Sequence, residues 1–328
     1  MTPPPAGRQG PPYETAGDGI EVRRAGLDGP PSLERLEARL GWLLATPALA
    51  LILLVSLVPI VATGWEALHL HDLRLPWLGR PFIGLDNFVE ASGDPRFLSA
   101  MLHTMAFAAV SVPLELVLGL ALALIMHVAT RGRALIRVAA LLPWAIPAVV
   151  AALVWRFMFD AQAGIAAASL RNLGLVDASF DWFVHPLAAW VPIVAADVWK
   201  TTPFVAILLL AGLQTIDPAL DEAARIDGAG PVRRFLTITL PLLAPALVVA
   251  AAFRTLDALR LFDLAYVMTG GGPGTATEPL SLYAFIALMQ RLRFGYGSAL
   301  SITVFLLTFA FALVWVRALG RSLAGGRA

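Results

Sequence analysis

Asp197 and Lys200 stand three residues apart inside one apolar run, and Arg254, Asp257, Arg260 and Asp263 follow at the same interval in another. On a helix, residues three apart are neighbours, so Asp197 with Lys200, and each member of the second series with the next, can form opposite-charge pairs. The second series drifts around the helix, so its four charges cannot share one face. Glu115 lies in a third apolar run with no obvious partner in sequence. Charge inside an apolar segment is costly and marks either a helix-to-helix bridge or the lining of a polar path. Trp199, Thr201 and Thr202 adjoin Lys200 and would suit a hydroxyl-rich ligand. Covalent chemistry is not signalled. The sequence has no phosphate-binding G-x-x-x-x-G-K-[ST], no H-E-x-x-H and no G-x-S-x-G. Of the histidines, only His69 and His71 are close together, too few for a metal site.

The elements that must position these charges are membrane helices. Of the 328 residues, 58% are hydrophobic and 14% charged, with mean hydropathy +0.75. A soluble domain has roughly 45–50% and about 25%, so the composition predicts an all-α integral membrane protein. There is no cysteine, hence no disulfide, and a net charge of +1 argues against a nucleic-acid partner. Six segments reach the roughly 20 residues that cross about 30 Å of hydrocarbon: residues 41–65, 103–128, 136–159, 187–212, 239–262 and 299–319. Residues 1–40 form a Pro- and Gly-rich tail expected to be disordered, with a short amphipathic helix over Ser32 to Arg39. No apolar core follows Met1, so no cleavable signal peptide is expected. With both termini cytoplasmic, the inner segments hold fourteen arginines (Arg8, Arg23, Arg24, Arg35, Arg39, Arg131, Arg133, Arg137, Arg225, Arg233, Arg234, Arg317, Arg321 and Arg327) and the outer segments seven. That bias fixes the expected orientation. Trp65, Trp77, Phe82, Phe88, Trp155, Trp182 and Trp190 are expected in an interfacial aromatic belt.

The polar break 217–241 separates two spans. Asp217 is placed to cap a short helix with Pro218 in its first position, and Gly228 to end it in a left-handed conformation. Glu222, Ala223, Ala224, Asp227, Gly228, Ala229, Phe235, Ile238, Leu240, Pro241 and Pro245 match, residue for residue, the "EAA" loop of permease subunits in binding-protein-dependent ABC importers. Phe82–Phe88 resembles the F-x-G-L-x-N-F/Y segment of sugar-type permeases. Phe262-Asp263 with Thr269–Pro273 resembles their F-D … T-G-G-G-P segment. The resemblance covers residues 41–320 and extends to maltose- and trehalose-type members.

That resemblance implies a type I, maltose-permease-like transmembrane domain of six helices, with a cytoplasmic coupling helix and a C-terminal tail over 321–328. It implies coupling to the ATPase through Glu222, Ala223, Ala224, Arg225, Asp227 and Gly228. Substrate-pathway candidates are Asp197, Trp199, Lys200, Asp257, Arg260, Phe262, Asp263 and Leu264. The run Gly270–Gly272 is expected in a flexible outer loop facing the binding protein. Implied partners are a second permease subunit, two cytoplasmic ATP-binding subunits that hold ATP and Mg, an extracytoplasmic sugar-binding lipoprotein and membrane lipid; this chain itself holds no cofactor. The solute implied is a disaccharide such as trehalose or maltose, with glycerol-phosphate or an oligosaccharide as alternatives. An ion-coupled secondary transporter would leave the 217–241 loop unexplained.

Overall fold

The computed structural model describes residues 31–128, 133–177 and 180–325. The expected disordered tail lies mostly outside them, as do Arg8, Arg23, Arg24, Arg131 and Arg327. The chain divides into two units, Met1–Val58 and Pro59–Ala328. Helix α1, Pro31–Ala67, begins in the first unit and ends in the second. The separate amphipathic helix expected over Ser32–Arg39 is instead the start of this continuous helix.

In the second unit, His69 and Phe82 form an isolated antiparallel bridge, and Leu70 N donates to Pro81 O at 2.9 Å. Asn87, on the short helix α2 (Asp86–Gly93), closes this turn. Its amide donates to Ala67 O at 2.8 Å and His69 O at 3.0 Å, satisfying carbonyls left open at the end of α1. The asparagine of the matched segment thus has a structural use.

Helix α3 covers Pro95–Val128, eight residues longer at its start than the sequence suggests. The span expected over 136–159 is broken. Helices α4 (Arg133–Ala145) and α5 (Ala148–Met158) meet at 90° across Ile146-Pro147. Proline disfavours a helical residue before it, and α4 ends at Ala145 with Pro147 extended before α5. Helix α6 (Ile165–Asn172) packs with α5 around Phe159 and Trp182. Trp182, expected in an interfacial belt, is 8% exposed and packed in this small core.

Helix α7, Trp190–Leu213, packs along α3. Gly119 lets them approach: a Cβ there would stand 2.5 Å from Val205 Cγ1. Gly212 does the same against Ala246. Small residues at crossings are how membrane helices gain close packing. Helices α8 (Pro218–Ile226) and α9 (Pro231–Arg234) follow, then a π-helical turn over Phe235–Thr239 and α10 over Leu240–Ala258. Pro241 has no N–H to give the preceding turn, and the wider turn absorbs its ring.

The fifth span, expected to reach residue 262, stops at Ala258. Helix α11 restarts at Asp263 and ends at Met268, α12 covers Leu280–Phe285, and α13 covers Phe294–Gly325. Among the described residues five helices are long and apolar enough to cross a membrane, or six if the α4–α5 pair is one span. The described residues contain no strand longer than an isolated bridge.

Candidate functional site

The break after α10 opens on a cavity of about 180 Å³, which Ala148, the first residue of α5, also lines. Its wall comprises Phe107, Ala148, Asp197, Lys200, Thr201, Asp257, Ala258, Arg260, Leu261, Phe262, Asp263 and Leu264. Irregular backbone between membrane helices is stable where it lines a cavity or is covered by protein. Here Ser281 Oγ donates to Leu261 O, and Arg156 Nη1 donates to Val267 O at 3.0 Å, tying α5 to α11. Seven of the eight residues anticipated for a substrate path converge on this cavity; Trp199 is absent from the lining and stands 5.9 Å from the Trp155 ring. Phe262 stacks on Tyr266 at 5.4 Å and meets Phe285 edge-on.

The ion pairs differ from those the spacing suggests. Asp197 does not pair with Lys200; its Oδ2 accepts from Arg254 Nη2 at 3.1 Å. Arg254 also donates to Asp257, and through Nε and Nη2 to both oxygens of Glu115, the Nη2 contact being 2.9 Å. Glu115 therefore bridges α3 to α10, the helix-bridging use its position allows. The Glu115 and Arg254 side chains are 0% and 3% exposed, against 59% for Asp257. The supposed ladder stops there: Arg260 Nε donates to Leu256 O at 3.2 Å, and neither Arg260 nor Asp263 has an ion pair among the described residues. A lone carboxylate and a lone guanidinium on separate spans show in sequence as charges, but no local spacing reveals that they meet.

A larger cavity of about 590 Å³ between α3 and α7 is lined by His103 and otherwise almost wholly by apolar groups. A hydroxyl-rich solute would leave its hydroxyls unpaired there, at a cost of a few kcal/mol each, so the smaller charged cavity fits such a ligand better.

The second candidate element is α8. Asp217 Oδ1 accepts from Ala219 N at 2.9 Å, Pro218 fills the first helical position, and Gly228 takes φ +78°. Ala229 N donates to Ala224 O at 2.9 Å, closing the helix end. Pro218, Asp221, Glu222 and Arg225 line a groove of about 490 Å³ against the ends of α3 and α7. Ala223 and Asp227 are absent from that lining, and Ile226 is 87% exposed. Arg234 pairs with Asp221 at 2.5 Å, locking α8 to α9, whereas Glu222 and Arg225 have no ion pair among the described residues.

The loop after α11 is not the loose segment its glycines suggest. Thr277 Oγ1 donates to Gly272 O at 2.6 Å, Thr277 N donates to Gly271 O at 3.0 Å, and Thr277 is fully buried. Next to it Glu278, 2% exposed, takes two bonds from Arg96 at 2.7 and 2.5 Å. Asp94 accepts from both Tyr283 and Tyr296. The start of α3 is thereby fixed to α12 and α13.

Residues 115–324 match the model of the binding-protein-dependent transport system inner membrane component. The chain belongs to that family. This inner membrane component is 43% identical over 285 residues to the trehalose/maltose transport system permease protein MalF of Thermococcus litoralis, covering 87% of this chain and 95% of the relative. It is 39% identical over 294 residues to the trehalose transport system permease protein SugA of Mycobacterium tuberculosis, covering 88% and 92%. It is also 39% identical over 281 residues to the sulfoquinovosyl glycerol transport system permease protein SmoG of Agrobacterium fabrum, covering 85% and 89%. In fold it resembles a chain of the bacterial alginate ABC transporter solved with alginate pentasaccharide-bound periplasmic protein: TM-score 0.72, 21% identity, 86% of this chain and 94% of that one. It is a multi-pass membrane component of a transporter.

Proposed function

We propose that this component is a permease subunit of an ABC importer that carries a disaccharide of the trehalose or maltose kind through the 180 Å³ cavity. The observation that carries the reading is 43% identity across 95% of a trehalose/maltose permease, supported by a cavity wall of carboxylates, cations and an aromatic ring. A small-molecule site usually measures roughly 300–1,000 Å³, so one chain supplies part of the wall and a second permease subunit the rest. The arginine distribution supports an orientation with α8 and both termini in the cytoplasm. There α8 docks in a groove on one of two ATPase subunits. Its motion, carried by the Asp221–Arg234 link into α10, moves the spans between two packings. An extracytoplasmic binding protein delivers the sugar. ATP and Mg belong to the ATPases.

The test is co-purification with the subunits encoded beside it, reconstitution in liposomes with the binding protein, and ATP hydrolysis with a panel of sugars. Stimulation by trehalose or maltose supports the reading. Stimulation by sulfoquinovosyl glycerol alone would move the substrate toward the class named for the Agrobacterium relative. Solute movement driven by an ion gradient without ATPase subunits would overturn the mechanism.

A further inference from the structure

Arg254 and Glu115 are absent from the cavity wall, yet Arg254 reaches that wall through both Asp257 and Asp197. Glu115, wholly buried on α3, grips the guanidinium through both its oxygens, which fixes the plane of the guanidinium group. The remaining donors then point in set directions: Nη2 to Asp197 on α7 and Nη1 to Asp257 on α10. Those two carboxylates line the cavity. Three spans are thus brought to one cation, and two wall acceptors are aimed by a residue that does not itself face the solute.

We infer that Arg254, anchored by Glu115, is a positioning residue of the translocation site: it holds the Asp197 and Asp257 carboxylates in the orientation that accepts solute hydroxyls. The inference rests on the cavity being the solute path. Lysine at 254 keeps the charge but not the planar fork, so it cannot hold three carboxylates in fixed directions. Asp263, on the same wall and outside the network, is the internal control.

Carboxylate footprinting of the assembled transporter, with carbodiimide and glycine ethyl ester read by mass spectrometry, tests this without any sugar. In R254K, modification of Asp257 is expected to rise at least threefold while Asp263 is unchanged. E115Q, which leaves the cavity wall intact, is expected to give a smaller rise at the same residue and serves if R254K fails to assemble. Unchanged Asp257 reactivity in the assembled variants overturns the inference. So does an equal rise at Asp263, which would mean general loosening. Transport supplies the second readout. R254K and D257N are each expected to lower maximal uptake about tenfold, and together no further, because one acts through the other. A hundredfold loss in the double variant, with the complex intact, also overturns it. If the wild-type complex moves no sugar, the import reading fails, and footprinting still decides the role of Arg254.

Discussion

Asn87 satisfies two carbonyls at the end of α1 with one amide and is 3% exposed. Asn87→Ala removes both donors and leaves Ala67 O and His69 O open, a loss of about 1–3 kcal/mol. Asn87→Asp is expected to be worse, because a carboxylate then faces two carbonyl oxygens and repels both. Thermal unfolding of the purified complex should rank wild type above Ala above Asp; Asp equal to wild type would show that the amide is not needed as a donor. Arg254→Met carries a larger cost, about 3–5 kcal/mol, since it strips the partner from a wholly buried Glu115. Loss of assembled complex in that variant, with near-normal yield of Glu115→Gln, is the expected pattern on size-exclusion chromatography. These two sites differ in how far sequence discloses them. Asn87 falls in a segment recognisable from its neighbours, although its bonds are not. Arg254 is legible only as one member of a periodic charge series, because its partners on other helices lie 139 and 57 residues away.

Element geometry at α8 follows from local chemistry. Asp217, Pro218 and Gly228 each act within one turn of their own position, so the cap, the start and the left-handed end can all be read from the chain. The break at Leu259–Phe262 cannot, because it holds neither proline nor glycine and is held open by Ser281 and by packing of α11 on α5. For Gly228 the structure separates two demands. A Cβ there meets nothing within 4 Å, but φ is +78°. Gly228→Ala therefore costs only the left-handed strain, about 1–2 kcal/mol, and is expected to retain a measurable part of ATP-driven uptake. Gly228→Trp places a large ring where, in the proposed coupling, an ATPase docks, and is expected to abolish uptake with expression preserved. Normal uptake with tryptophan would remove α8 from the coupling path. Asp221→Asn, which weakens the tie to Arg234, should leave ATP hydrolysis running while lowering transport per ATP severalfold.

At the scale of the whole molecule, composition and segment length give six apolar stretches, but they do not say whether the third one crosses. The 90° bend between α4 and α5 makes that an open physical choice: a broken span reaches the far side, whereas a re-entrant pair returns to the side it left. The two cases are separable by counting crossings between Trp77 and Ile226, which are 75% and 87% exposed. Between them lie α3, the α4–α5 pair and α7. If the pair crosses, the number is odd and the two residues face opposite compartments; if it returns, they share one. Because the chain has no cysteine, Trp77→Cys and Ile226→Cys each give a single reactive thiol. A membrane-impermeant maleimide applied to intact cells is expected to label the Trp77→Cys variant and spare the Ile226→Cys variant, whose thiol reacts only in inverted vesicles. That outcome makes the α4–α5 pair a crossing and places α8 on the side where ATP is found. Labelling of both variants from one side would make α4–α5 re-entrant. Labelling of the Ile226→Cys variant alone from outside would reverse the orientation and remove α8 from reach of any cytoplasmic ATPase.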